Sequence, residues 1–198
     1  YKIKFIWNII MHNSVKNLLK IKENVKVKSS TLNISSQPPK IIAVSKTFNI
    51  DQIMPLIEHG HQDFGENKVQ EAQEKWSEIK KINDSINLHL IGKLQTNKVK
   101  AAVSLFDYIH SVDNEKLAEK ISKYQKEINK SLKIFIQVNI GNEEQKSGIT
   151  KNKVSEFYEY CKSLNLNIVG LMCIPPFDKN SVEYFKEMKF ISNKLNLK

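Results

Sequence analysis

Lys40-Ile41-Ile42-Ala43-Val44-Ser45-Lys46-Thr47 is a run rich in Ile and Val, entered just after Pro38-Pro39 and left at a lysine. A short apolar run stopped by a polar residue reads as a buried parallel strand opening a β/α unit. Side chains alternate along a strand, so Ile42, Val44 and Lys46 share one face, while Ile41, Ala43 and Ser45 share the other. A lysine closing an apolar file has two outcomes. Burying its ammonium costs several kcal/mol unless it is paired or loses its proton, and loss of the proton leaves a neutral amine. Such an amine is a nucleophile that forms a Schiff base with an aldehyde. Alternatively the side chain has simply reached the strand end and solvent. The stretch alone leaves both open.

The same unit recurs downstream. His61-Gln62-Asp63-Phe64 reads as a second strand, stopped by Gly65, and Leu88-His89-Leu90-Ile91 as a third, closed by Gly92. Tyr108-Ile109-His110, Ile134 to Val138 and Asn167 to Ile174 supply the fourth, fifth and sixth, the last ended by Pro175-Pro176. Between them lie apolar stripes at helical spacing: Val69, Ala72, Trp76 and Ile79; Leu117, Ile121, Tyr124 and Ile128; Val154, Phe157, Tyr158 and Cys161. Asn49 with Gln52 reads as a capping box for a helix ending at Gly60, with Pro55 in conflict inside it. Asp113 reads as the cap of the next long helix, Thr150 as the start of another, and Asn180 with Glu183 as the cap of the last. A moderately amphipathic helix over residues 11–28 and a polar connector over 29–39 precede the first strand.

Strands and helices therefore alternate every 25 residues or so (about one β/α unit), with no hairpin turn, which demands parallel strands and helical crossovers. The architecture is either a TIM-type (β/α) barrel or an open doubly wound sheet. No G-x-G-x-x-G or Walker loop follows the first strand, which argues against a dinucleotide or nucleoside triphosphate fold. Polar residues gather just past the strand ends, at Lys46, Glu66-Asn67, Lys93-Gln95-Asn97, Ser111-Asp113 and Asn139. In a barrel that face carries the active site.

Composition narrows the function classes. The chain has 198 residues with a formal net charge of +10, and all 31 of its basic residues are lysines. Base readout and bidentate phosphate gripping lean on the arginine fork, which is absent, and the lysines are scattered along helices. The reading is a solvated basic surface, with no nucleic-acid partner. No apolar run reaches the roughly 18 residues of a membrane span, and Phe5 to Met11 is short and broken by Asn8. The two cysteines, Cys161 and Cys173, form no close-spaced ligand or redox pair, which fits a reducing, cytoplasmic setting.

Several blocks occur in a telling order: Ala43-Val44-Ser45-Lys46-Thr47, Phe64-Gly65-Glu66-Asn67-Lys68-Val69-Gln70-Glu71, and His89-Leu90-Ile91-Gly92-Lys93-Leu94-Gln95-Thr96-Asn97-Lys98. His110-Ser111-Val112-Asp113 follows, then Gln137-Val138-Asn139 with Glu143, Lys146, Ser147 and Gly148, then Gly170-Leu171-Met172. Together these resemble the YggS/PROSC family of pyridoxal-phosphate-binding homeostasis proteins over residues 40–176. The resemblance implies a (β/α)8 barrel of the alanine racemase N-terminal type, with Lys46 holding pyridoxal 5′-phosphate as a Schiff base at the end of the first strand. It places Asn67 near the cofactor ring and puts His89 and Met172 close to the barrel interior as further cofactor contacts. His89 reads equally as a hydrogen-bonded core histidine, and Lys146 equally as a surface residue.

The implied role is intracellular storage, buffering or delivery of the cofactor to pyridoxal-phosphate-dependent apo-enzymes, without turnover and without a metal. The alternatives are a racemase- or lyase-like enzyme and a non-functional fragment that binds the cofactor weakly. A free lysine amine, pKa about 10.4, is only about 0.04% neutral at pH 7. An apolar strand end that depresses this value speeds capture of the aldehyde. A racemase would need a second acid/base residue on the opposite cofactor face. The resemblance also implies that the chain carries six of about eight barrel strands, stopping before the strands that form the family's phosphate cup. Residues 1–10 then read as an upstream extension, 1–39 as extension plus helix, and 40–198 as an incomplete cofactor-binding barrel of a fragment or decayed gene product. Losing two or three charge-assisted hydrogen bonds weakens binding by roughly a hundredfold to several thousandfold or more. A monomer is expected, with exposed barrel edges open to association.

Overall fold

The computed structural model describes residues 11–32, 38–177 and 180–197, so the readings of residues 1–10 and of the middle of the 29–39 connector lie outside the described residues. The elements run α1 (Asn13–Thr31), β1 (Ala43–Val44), α2 (Ile50–Glu58), β2 (Asp63–Glu66), α3 (Val69–Ile82), β3 (Asn87–Leu90) and α4 (Val99–Leu105). They continue with β4 (Tyr108–Val112), α5 (Glu115–Glu127), β5 (Lys133–Asn139), β6 (Ile149–Thr150), α6 (Val154–Ser163), β7 (Asn167–Met172) and α7 (Ser181–Lys194). Every strand pairing is parallel, as the alternation demands: β1 with β2, β2 with β3, β3 with β4, β4 with β5, and β5 with both β6 and β7.

The sheet is a curved wall. Six parallel strands laid flat would hold their outer members roughly 24 Å apart. Here residues following β1 and residues of β7 line one cavity, which requires the sheet to roll toward closure. This is a partial TIM-type barrel.

The outer face of the sheet is dry. Phe64, Leu88, Leu90, Ile109, Ile134 and Ile136 are all fully buried beneath the helices, and each such burial contributes about 1.5–3 kcal/mol. Trp76 on α3 is likewise fully buried and packs on Phe64 with ring centroids 4.9 Å apart. The inner face at β1 is wetter: Val44 is 45% exposed. The opening strand is thus a two-residue edge strand and not a buried one, because no strand among the described residues pairs its free side.

Local chemistry corrects other expectations. Asn114, not Asp113, caps α5, its side chain accepting from the Leu117 N–H at 3.0 Å. Asp113 is drawn away to accept from the Gly148 N–H at 3.2 Å. Thr150 closes the short β6 strand, absent from the sequence reading, and a 3-10 turn over Lys151–Lys153 leads into α6. Pro55 does sit inside α2, one turn before its end, and the carbonyl it deprives of a partner belongs to the exposed Asp51, where water can serve. Gln52 accepts from the Asn49 N–H at 3.2 Å, as the capping pattern requires. Asn180 caps α7, accepting from the Val182 N–H at 3.1 Å.

Candidate functional site

A cavity of about 610 Å³ opens at the carboxyl ends of the strands. Lys46 after β1, Asn67 after β2, Gly92 and Lys93 after β3, His110 from β4, Gln137 and Asn139 from β5, and Met172 from β7 all line it. The fold thereby brings together Lys46, Asn67 and Met172. His89 does not line the cavity; it lies beneath, inside the wall. Lys146, with Gln145 and Ser147 from the loop after β5, also reaches it, so this lysine is not a remote surface residue.

The turn that presents Lys46 is clamped on both sides, by Glu66 at the end of β2 and by side chains of α3. On one side the Ser45 Oγ–H donates to Glu66 Oε1 at 2.7 Å, and Lys75 Nζ donates to the Ser45 carbonyl at 2.7 Å and to the same Glu66 oxygen at 2.9 Å. Trp76 Nε1–H completes that fan at 2.9 Å. On the other side the Thr47 N–H donates to Glu71 Oε1 at 2.5 Å, holding Thr47 in the left-handed region at φ 65°. That conformation is uncommon and strained for a β-branched residue. Glu71 is kept below the usual carboxylate range chiefly by this backbone donor, with Lys75 adding to it. Glu66 is fully buried, and its other oxygen, Oε2, has no partner among the described residues.

Lys46 itself is exposed at the cavity, the second of the two outcomes its strand left open, because the edge strand does not enclose it. Among the described residues its Nζ makes no ion pair, whereas Lys146 Nζ lies 2.6 Å from Glu143 Oε2 in a contact poorly aligned for a hydrogen bond.

Two glycines shape the cavity. A Cβ on Gly92 would fall 2.3 Å from the Asn67 carbonyl oxygen, so only glycine lets β3 seat the Asn67 backbone. Gly148 sits at φ +122° with the Asn139 nitrogen 2.6 Å from where a Cβ would be, and it holds the loop carrying Lys146 against β5.

The inner wall holds a polar chain the sequence reading missed. His89 Nε2 lies 3.1 Å from Asp63 Oδ1, and His89 Nδ1 lies 3.0 Å from His110 Nε2. Each ring is stacked: His89 on Tyr108 with centroids 4.1 Å apart, His110 on Phe135 at 4.3 Å. Burial lowers the His89 pKa, partly offset by Asp63, and pushes His110 down to about 4, with His89 adding to the effect. His110 stood in a quoted block, but no spacing in the chain tells that it meets His89 across two strands. The Glu66, Glu71 and Lys75 clamp was equally hidden, although Glu71 and Lys75 carry an i, i+4 signal.

Comparison with known proteins now bears on the site. A family model described as alanine racemase, N-terminal domain, matches residues 17–194. The pyridoxal phosphate homeostasis protein of Buchnera aphidicola subsp. Schizaphis graminum is 34% identical over 192 residues, covering 93% of this chain and 82% of the relative. The chain belongs to the pyridoxal phosphate homeostasis family. Among solved structures, this family member is similar to PipY of Synechococcus elongatus without pyridoxal phosphate, with TM-score 0.74 and 31% identity over 87% of this chain and 82% of that one. The structure of PipY with pyridoxal phosphate bound gives TM-score 0.68 and 29% identity over 86% and 82%. No helix among the described residues is long and apolar enough to cross a membrane.

Proposed function

We propose that this protein binds pyridoxal 5′-phosphate in the strand-end cavity and captures it covalently through Lys46, serving cofactor homeostasis without turnover. The observation that carries this reading is the amine of Lys46, unpaired among the described residues and held by a two-sided clamp at the rim of a cavity large enough for the cofactor. An ammonium locked to a carboxylate makes a poor nucleophile, and Lys46 has no such partner among the described residues. The group brings an aldehyde that condenses with an amine, releasing water. The residues present fit it: Lys46 supplies the amine, Asn67 and the Gln137 side-chain carbonyl supply neutral hydrogen-bonding groups and Met172 an apolar wall, while Asn139 uses its amide to hold the loop that carries Lys146. His89 supports the wall from behind through His110.

Residues 40–198 form the cofactor-binding unit in this reading, and α1 docks on it through the buried Val15 and Leu18. Delivery to apo-enzymes fits an open cavity from which the cofactor can leave. Nucleic acid has no place in the reading, since the chain carries no arginine.

Titration of the purified chain with pyridoxal phosphate tests this directly. Absorbance at about 420 nm should rise on binding, as lysine–aldehyde condensation requires, and should be lost in Lys46→Ala. Borohydride reduction followed by peptide mapping should label Lys46; a label elsewhere, or none, refutes the assignment. Sustained turnover of L- or D-alanine by the loaded protein would refute the non-catalytic part.

A further inference from the structure

The chain Asp63–His89–His110 has a direction, and that direction decides what its open end does. A carboxylate has no proton to donate, so His89 Nε2 must carry the hydrogen in its 3.1 Å contact with Asp63 Oδ1. A neutral imidazole bears one N–H, so His89 Nδ1 is then a bare lone pair. The 3.0 Å contact from His89 Nδ1 to His110 Nε2 therefore needs the hydrogen on His110 Nε2. By the same count His110 Nδ1 is left as a lone pair.

That nitrogen has no protein partner among the described residues and is not among the enclosed unpaired atoms, while the ring to which it belongs lines the cavity. The stacks on Tyr108 and Phe135 fix the ring planes, and a 180° flip of either ring within its plane would put a carbon where a paired nitrogen now sits, so the two contacts themselves set the order. Lys40 Nζ sits 3.6 Å from Asp63 Oδ1, and Lys133 Nζ donates to Tyr108 Oη at 2.9 Å, while Lys46, Lys93 and Lys146 line the cavity with His110.

We propose that His110 Nδ1 is a fixed hydrogen-bond acceptor in the cavity, a subsite for an O–H or N–H donor of the ligand. It stands three strands from Lys46 around the curved sheet. A lone pair there rejects anionic oxygen, so a ligand bearing both a hydroxyl and a phosphate must turn its hydroxyl or a protonated nitrogen toward β4. The ligand part of this proposal rests on the cavity being a pyridoxal phosphate site; the direction of the chain does not.

Long-range nitrogen–proton NMR on the uniformly labelled chain at neutral pH reads the tautomers without any ligand. His110 should appear with its hydrogen on Nε2. Asp63→Ala removes the acceptor that holds the hydrogen on His89 Nε2, so His110 should lose its preference and populate the Nδ1–H form as well. A wild-type His110 protonated on Nδ1, or a His110 tautomer unmoved by Asp63→Ala, overturns the proposal. Titration with pyridoxal phosphate should then show affinity about twofold to tenfold weaker in Asp63→Ala, up to the loss of one neutral hydrogen bond. Inorganic phosphate should bind Asp63→Ala at least as well as wild type; weaker phosphate binding by Asp63→Ala would assign the subsite to the anion and overturn the proposal. If wild-type protein binds no pyridoxal phosphate while the tautomers behave as stated, the cofactor reading fails and the acceptor stands.

Discussion

Acidification should destabilise this protein well before its carboxylates titrate, and His110 is the main reason. In the folded state burial holds its pKa at about 4, against 6.5 for the unperturbed group. Above pH 6.5 the imidazole is neutral in both folded and unfolded chains, and the full stability is present. Between about 6.5 and 4 the unfolded chain takes up a proton that the folded one refuses, so stability falls as pH falls. Below about 4 both states are protonated and this loss stops growing. At about 1.36 kcal/mol per pH unit the depression amounts to about 3 kcal/mol, a large share of a typical domain's 5–15 kcal/mol. His89, also depressed by burial, adds in the same direction.

The assay is urea unfolding at constant ionic strength from pH 7 to 5, where exposed carboxylates remain ionised, on wild type and His110→Gln. Wild type should lose stability more steeply than the variant, by close to the slope for one proton. Equal slopes would refute the reasoning, as would an NMR titration in which His110 protonates near 6.5.

Gly92→Ala should push Asn67 out of place, because the added methyl lands 2.3 Å from its carbonyl oxygen; a cost of about 1–3 kcal/mol and weaker pyridoxal phosphate binding should appear together in thermal melts and titrations. Glu71→Gln should slow capture of the aldehyde by Lys46 in stopped-flow absorbance while moving the melting temperature little, since it loosens the Thr47 N–H contact without touching the core. Trp76→Ala should cost about 3–5 kcal/mol in urea unfolding, because the indole is fully buried and donates to Glu66. Cys161, buried with its pKa pushed up to about 12, should resist thiol reagents until the protein unfolds, whereas the half-buried Cys173 at the cavity rim should react slowly in the native state.

Much of the fold was legible because its signals are local. Apolar runs such as Ile134–Val138 and stripes such as Leu117, Ile121 and Tyr124 report strand and helix through periodicity alone, and the absence of hairpin turns forces parallel pairing. The cluster of polar residues past the strand ends already placed Lys46, Asn67 and Asn139 on one face. Three things needed the tertiary structure. Curvature of the sheet decided that Met172, Lys146 and Lys46 line one cavity, since strand pairing around a wall leaves no mark in sequence spacing. Pairing of β2, β3 and β4 decided that Asp63, His89 and His110 touch, although they lie more than twenty residues apart in sequence. Packing of α3 on β2 decided that Glu71 and Lys75 join Glu66 in holding the Lys46 turn. Periodicity records which way one segment faces; only the assembled chain determines what each face meets.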